Sequence, residues 1–227
     1  MNKKKQPVQG VSLVSMINKN STLAEECRII RSNIQFSAVD REMKSIAITS
    51  SSMSEGKSTV AANLAVLFAD SGKKTLLVDG DLRRPTVALT FKQSNHIGLS
   101  TLLTDMNGSI HDVVRDSNIP ELSILTAGPK PPNPSEMLNS NRMLEVMETL
   151  EEMFDLIIYD LPPISNITDA QIVAARTNGT VLVSRQQQTK KSEFLKAVNS
   201  LKMAKANVIG VVYNGMKKNS DSYYYYG

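Results

Sequence analysis

Apolar positions along this chain fall into two alternating rhythms. Short, nearly continuous apolar runs at residues 44–50, 73–79, 121–126, 154–160, 179–185 and 208–214 read as strands. Stretches with helical spacing lie between or before them, at residues 58–71, 142–153, 169–176 and 190–204. Strands that are apolar on both faces and linked by helices predict an α/β fold. Its mostly parallel central sheet is covered by helices on both faces. An earlier helix is expected over residues 21–39. Ser21 or Thr22 is placed to cap it, Glu25 and Glu26 occupy its first turns, and Leu23, Cys27, Ile30 and Ile34 form a stripe. Residues 1–20 are polar without steady periodicity and read as a flexible arm. Residues 216–227 hold Tyr223, Tyr224, Tyr225 and Tyr226 and read as a disordered tail, leaving one domain over 21–215.

Composition narrows the class. An apolar content of 41% in 227 residues is enough for one full core. No apolar run approaches the length of a membrane-spanning helix, and no leader pattern opens the chain. The single cysteine, Cys27, excludes an internal disulfide framework, so a cytoplasmic protein is expected. Much of the excess positive charge sits at Lys3, Lys4, Lys5, Lys217 and Lys218. That placement suits either an anionic surface or plain solubilising termini. No block of basic residues interleaved with aromatics points to nucleic acid, and none is expected as a partner.

The sharpest chemistry begins at residues 51–59, SSMSEGKST, between a predicted strand and a predicted helix. The pattern S-x-x-x-x-G-K-S in that setting is a phosphate-binding loop. Main-chain N–H groups of Ser54, Glu55, Gly56, Lys57, Ser58 and Thr59 are expected to cradle an anion at the helix N-terminus. The Lys57 ammonium would neutralise outer phosphates, and the Ser58 hydroxyl would hold Mg²⁺. Ser51 stands where glycine is usual, which restricts the turn.

Carboxylates are expected to converge on the same place. Asp79 and Asp81 end the run LLVDGD, and Asp160 ends LIIYD. In an open parallel sheet, ligands bind beyond the carboxyl ends of the strands. Mg²⁺ takes few protein ligands, so three acids leave one free to accept a proton. The plainer reading of Asp79 is a turn cap.

These residues carry a resemblance. The segments SSMSEGKS, LLVDGDLRRP, LIIYDLPP, GPKPPNPSEML and EECRIIR, with the tyrosine-rich end, are similar to those of the bacterial tyrosine kinases of capsule and exopolysaccharide operons. The likeness covers roughly residues 20–227. It implies a P-loop NTPase-like fold, ATP as phosphate donor with Mg²⁺, and Tyr223 to Tyr226 as acceptors. It further implies that Asp81 and Asp160 join Ser58 at the metal, that Asp79 takes the phenol proton, and that Arg83 stabilises the same corner. Asn214 would read the adenine edge, or simply end its strand. Glu25, Arg28 and Arg31 would make subunit contacts in a closed ring, the alternative being a solvated charged face. A separate membrane activator of the polysaccharide co-polymerase type, a cognate tyrosine phosphatase and recruitment to the inner membrane face complete the expectation. Leu161 stands where the family often has Ser or Thr.

Two other functions fit parts of the pattern. A ParA- or MinD-like ATPase switch would carry a second lysine early in the loop, where this chain has Ser52. A nucleotide-binding scaffold without catalysis would have no need of Lys57 with all three carboxylates.

Overall fold

The computed structural model describes residues 9–37, 42–164 and 167–216. In chain order the elements are α1 (Val14–Ile17), α2 (Thr22–Phe36), β1 (Ser45–Ser50), α3 (Lys57–Asp70), β2 (Thr75–Asp79), α4 (Val87–Thr90), α5 (Leu99–Thr104), α6 (Ile110–Val113) and β3 (Val114–Ile119). There follow β4 (Leu122–Leu125), α7 (Pro134–Leu138), α8 (Asn141–Met153), β5 (Leu156–Asp160), α9 (Asp169–Ala174), β6 (Gly179–Arg185), α10 (Lys191–Met203) and β7 (Val208–Asn214). Among the described residues the strands form one sheet in the order β3-β4-β2-β5-β1-β6-β7. Every pairing is parallel except β3 with β4. The P-loop NTPase-like fold expected from the sequence is therefore present.

Side-chain alternation along the strands builds a core on each face. Ile46, Ile48, Leu77, Ile158 and Val181 pack on one side with the apolar residues of α3 and with Ile34 of α2. Ala47, Leu76, Val78, Ile157, Tyr159 and Leu182 pack on the other with Val146 and Leu150 of α8, Val173 of α9 and Leu201 of α10. Helix α3 is buried from Val60 through Ala69 because α2 lies over it. Each Val, Leu or Ile so buried contributes roughly 1.5–3 kcal/mol.

Three local expectations change. Ser21 does cap α2, its Oγ accepting from the Ala24 N–H at 3.1 Å, but Leu23 is turned to solvent and Ala24 takes the buried place. The described part of the expected arm, residues 9–20, is packed rather than loose. Leu13 is buried, and Asn63 of α3 accepts the Ser15 N–H at 2.9 Å. Polar spacing hid this because the contacts are made largely by the main chain. Ser51 is accommodated because its backbone is not among those with positive φ. The expected phosphoacceptors, Tyr223 to Tyr226, lie outside the described residues.

Candidate active site

The sheet order places the ends of β1, β5 and β2 side by side, so three loops meet at one rim. Asp79 and Asp160 are direct register partners at the ends of β2 and β5. The loop after β1 carries Lys57. Its Nζ lies 3.1 Å from Asp81 Oδ2, 3.2 Å from Asp160 Oδ1 and 3.2 Å from Ser58 Oγ. The four expected residues are thus brought together, with Lys57 bridging two of the carboxylates.

The phosphate loop has the geometry of an anion cradle. Ser54 and Gly56 are both left-handed, with φ of 64° and 98°. That conformation suits glycine and turns successive N–H groups toward one point. No N–H of residues 53–59 donates a hydrogen bond within the described residues. These donors fit a phosphate chain. The loop is held from behind. Glu55 is fully buried, and its carboxylate accepts the Ser52 N–H at 2.9 Å and the Thr189 hydroxyl. Arg185 Nη1 donates to Ser54 O at 3.1 Å, Gln188 Nε2 to Met53 O at 3.0 Å, and Asn214 Nδ2 to Glu55 O at 2.9 Å. The Ser52 hydroxyl donates to Glu193 at 3.2 Å. Glu55 therefore offers the site its main chain and not its side chain.

The carboxylates sit at different depths. A cavity of about 510 Å³ opens over the rim, lined by Lys57, Ser58, Thr59, Asp81 and Arg84 among others, while Asp79 and Asp160 lie behind its wall. Asp79 Oδ2 accepts the N–H groups of Thr86 and Val87, each at 2.9 Å, and its Oδ1 accepts the Asp81 N–H at 3.3 Å. Burial and the neighbouring Asp160 push the Asp79 carboxyl up to about 7, against the pull of the Val87 N–H and Lys57. Burial also raises Asp160, opposed by Lys57. Burial works to lower Lys57, but Asp160, Asp81 and Asp79 outweigh it and hold the ammonium above its usual range.

A divalent ion fits a narrower donor set than three acids. Among the described residues no group of three or more His, Cys, Asp or Glu is placed to hold a metal. Ser58, Asp81 and Asp160 gather around Lys57 as hard oxygen donors, which suits Mg²⁺ because that ion keeps several waters.

Other expected residues are committed elsewhere. Arg83 grips the buried Asp169 at the start of α9, with Nε to Oδ2 at 2.8 Å and Nη2 to Oδ1 at 3.2 Å. It still lines the cavity while tying residues 80–86, the loop after β2 and here the second acidic loop, to α9. Arg28 pairs with Glu25 and donates to Lys19 O, and Arg31 Nη1 donates to Leu67 O at 2.9 Å in the last turn of α3. Leu161 covers Gly80, where an added Cβ would lie 2.6 Å from Leu161 Cδ2. A bulky residue there fixes the turn between Asp79 and Asp81. Sequence reasoning missed Thr189, Gln188, Arg185, Asp169 and Thr86. Only Arg185, at the end of an apolar strand, carried a positional signal.

Comparison with known proteins agrees with this geometry. The family described as "AAA domain" matches residues 43–209. Tyrosine-protein kinase YwqD of Bacillus subtilis is 44% identical over 95% of this chain and 91% of its own length. The structure of the chimerical protein CapA2B2 superposes with a TM-score of 0.87 at 40% identity, covering 93% of each chain. The kinase domain of the Escherichia coli tyrosine kinase ETK gives a TM-score of 0.88 at 29% identity, covering 100% of this chain and 89% of that one. MinD of Pyrococcus horikoshii, solved with Mg-ADP, shares the fold at 24% identity and a TM-score of 0.63. A nucleotide-binding P-loop fold, a cradle of free N–H groups and these relatives lead to one assignment: the chain belongs to the bacterial tyrosine kinase family.

Proposed function

We propose that this chain is an ATP-dependent protein-tyrosine autokinase. It phosphorylates Tyr223, Tyr224, Tyr225 and Tyr226 of its own tail, in trans within a ring of copies, and so regulates capsule or exopolysaccharide synthesis and export. The observation that carries this reading is the place of Lys57, at the foot of the N–H cradle and against Asp81 and Asp160. A short swing takes its ammonium from carboxylate to phosphate. Phosphoryl transfer rests mainly on such positioning and charge.

The N–H groups of residues 54–59 hold the phosphates, and Asn214 flanks the adenine edge. Ser58, Asp81 and Asp160, with water, would hold Mg²⁺, which would supply charge neutralisation at the phosphate oxygens. As Lys57 turns to the phosphates, the acceptor phenol comes up beside Asp79. The tyrosine oxygen then attacks the γ-phosphorus of ATP. Its new O–P bond forms as the bond to the β–γ bridging oxygen breaks, ADP departs, and the phenolic proton passes to Asp79. A carboxyl pushed up to about 7 is matched to holding a proton at neutral pH. Arg83 anchors the loop bearing Asp81.

Tyr223 lies nine positions beyond Asn214, a reach of at most about 30 Å. That spans from one site to a neighbour's. The α2 residues Glu25, Arg28 and Arg31 contribute to the ring contact. Arg31 does so from a side chain that also caps α3. Each phosphate adds about −1.5 to −2 charges, so a modified tail leaves a carboxylate-rich site and loosens the ring. A separate membrane activator recruits the kinase to the inner membrane face, and a tyrosine phosphatase resets it. No helix among the described residues is long and apolar enough to cross a membrane.

The test is incubation with γ-labelled ATP and Mg²⁺. Label retained on tyrosine of the tail supports the reading. Phosphate released with no labelled tyrosine favours an ATPase switch, and nucleotide binding without either favours a scaffold.

A further inference from the structure

Residues 9–15 cross from α3 to α4 as a strap, and every anchor is specific. Asn63, fully buried in α3, accepts the Ser15 N–H at 2.9 Å and donates to Ser12 O at 2.9 Å and Thr59 O at 2.8 Å. At the other end the Val11 N–H donates to Thr90 Oγ1 at 3.0 Å, and that hydroxyl donates to Thr86 O at 2.8 Å. Gly10 lies flat on α4, where an added Cβ would stand 2.9 Å from Leu89 C and Thr90 N. Val11, and Gln9 just beyond the α4 anchor, form part of the cavity wall, facing the same space as Thr59 and Thr86.

The same short helix holds Asp79. Its first N–H groups, from Thr86 and Val87, are the ones donated to Asp79 Oδ2. The strap therefore joins the phosphate-binding helix to the segment that seats the acidic cluster. It also lines the cavity at its β2 end, whereas Arg185 ends β6 across β5 and β1.

We propose that the strap Gln9–Ser15 is a positioning element of the active site. It locks α4, and hence Asp79, relative to the phosphate loop, and presents Gln9 and Val11 as the wall against which the acceptor tyrosine is placed. This deepens the kinase reading and rests on it. Nucleotide binding should be indifferent to the strap, because the N–H cradle is braced from the opposite side.

The experiment uses the full chain with Gly10→Val, which pushes the strap off α4, and the pair Thr90→Val and Thr90→Ser. Two quantities are read: affinity for a fluorescent ADP, and kcat/KM for a synthetic peptide of residues 220–227. With Gly10→Val and Thr90→Val, peptide kcat/KM falls about tenfold, as misplacement of a reacting pair does, while ADP affinity stays within about twofold. Thr90→Ser keeps the hydroxyl and restores transfer. Unchanged peptide kinetics in both Gly10→Val and Thr90→Val overturn the strap's role, as does an equal loss of ADP affinity and transfer. Absence of peptide labelling by the unsubstituted chain overturns instead the kinase reading beneath it.

Discussion

The two loops that face each other across the cavity use the same backbone groups in opposite ways. In the phosphate loop, carbonyls and the Glu55 carboxylate are tied off from outside, by Arg185, Gln188, Thr189 and Asn214. The N–H groups of residues 53–59 donate to nothing among the described residues and are left for a ligand. In the second acidic loop the N–H groups of Asp81, Thr86 and Val87 turn inward onto Asp79, and the Arg84 N–H onto Asp81 at 3.0 Å. One loop makes an anion site. The other holds its carboxylates in place with its own N–H groups. Lys57 spans the two by its ion pair with Asp81, and Arg84 Nη1 also crosses, donating to the Met53 sulfur at 3.3 Å.

The largest break in this contrast is Lys57→Met. It removes the charge shared by both walls, and tail labelling should fall by about 10³-fold, the scale of losing a key electrostatic group. Labelling within tenfold of the unsubstituted chain would place the essential cation elsewhere.

Next comes the acidic wall alone. The folded-state value for Asp79, about 7, lies above the ordinary carboxylate value, so the folded chain binds the extra proton. Stability without nucleotide is then fullest at low pH and is lost as pH rises toward and through 7. Asp79→Asn removes that loss. Thermal melts should show the unsubstituted chain declining between pH 5 and pH 8 by on the order of 2 kcal/mol more than the variant. Equal declines would mean that Asp79 keeps its charge throughout.

The brace behind the phosphate loop gives a smaller effect. Thr189→Val leaves Glu55 with only the Ser52 N–H and should weaken ADP binding about tenfold, the cost of an unpaired buried charge-assisted bond. Peptide KM should hold steady, because Thr189 touches only the nucleotide side. Smallest is Gln188→Ala, which removes one exposed contact to Met53 O. Its effect on ADP affinity should stay within about twofold. A Gln188→Ala effect larger than that of Thr189→Val would reverse the assignment of the brace.

What the sequence made legible follows a physical division. Strands β1, β2, β5 and β6 announced themselves because both faces are buried, which demands continuous apolar runs. Strand β3, VRDSNI, stayed hidden because it is an antiparallel edge with four polar residues, held by its register with β4. Lys57 was readable from the phosphate-loop pattern, and Asp79, Asp81 and Asp160 from their place at strand ends. Their different depths were not, since these depend on how Leu161 and α4 pack over the turn. Glu55 illustrates the same limit. Its position suggested a ligand contact, but its partner Thr189 is far away in sequence, and only the fold makes it a strut. The strap was lost for a related reason. Val11 and Leu13 are single apolar residues without a period, and what anchors them is main chain to Asn63 and Thr90.

The most direct test of the central claim is intact-mass and peptide-level mass spectrometry of the full chain after incubation with ATP and Mg²⁺, beside Lys57→Met treated alike. The account predicts phosphate increments confined to the peptide bearing Tyr223 to Tyr226 in the unsubstituted chain and none in the variant. ATP consumed with no change in mass, or increments equal in both chains, would contradict it.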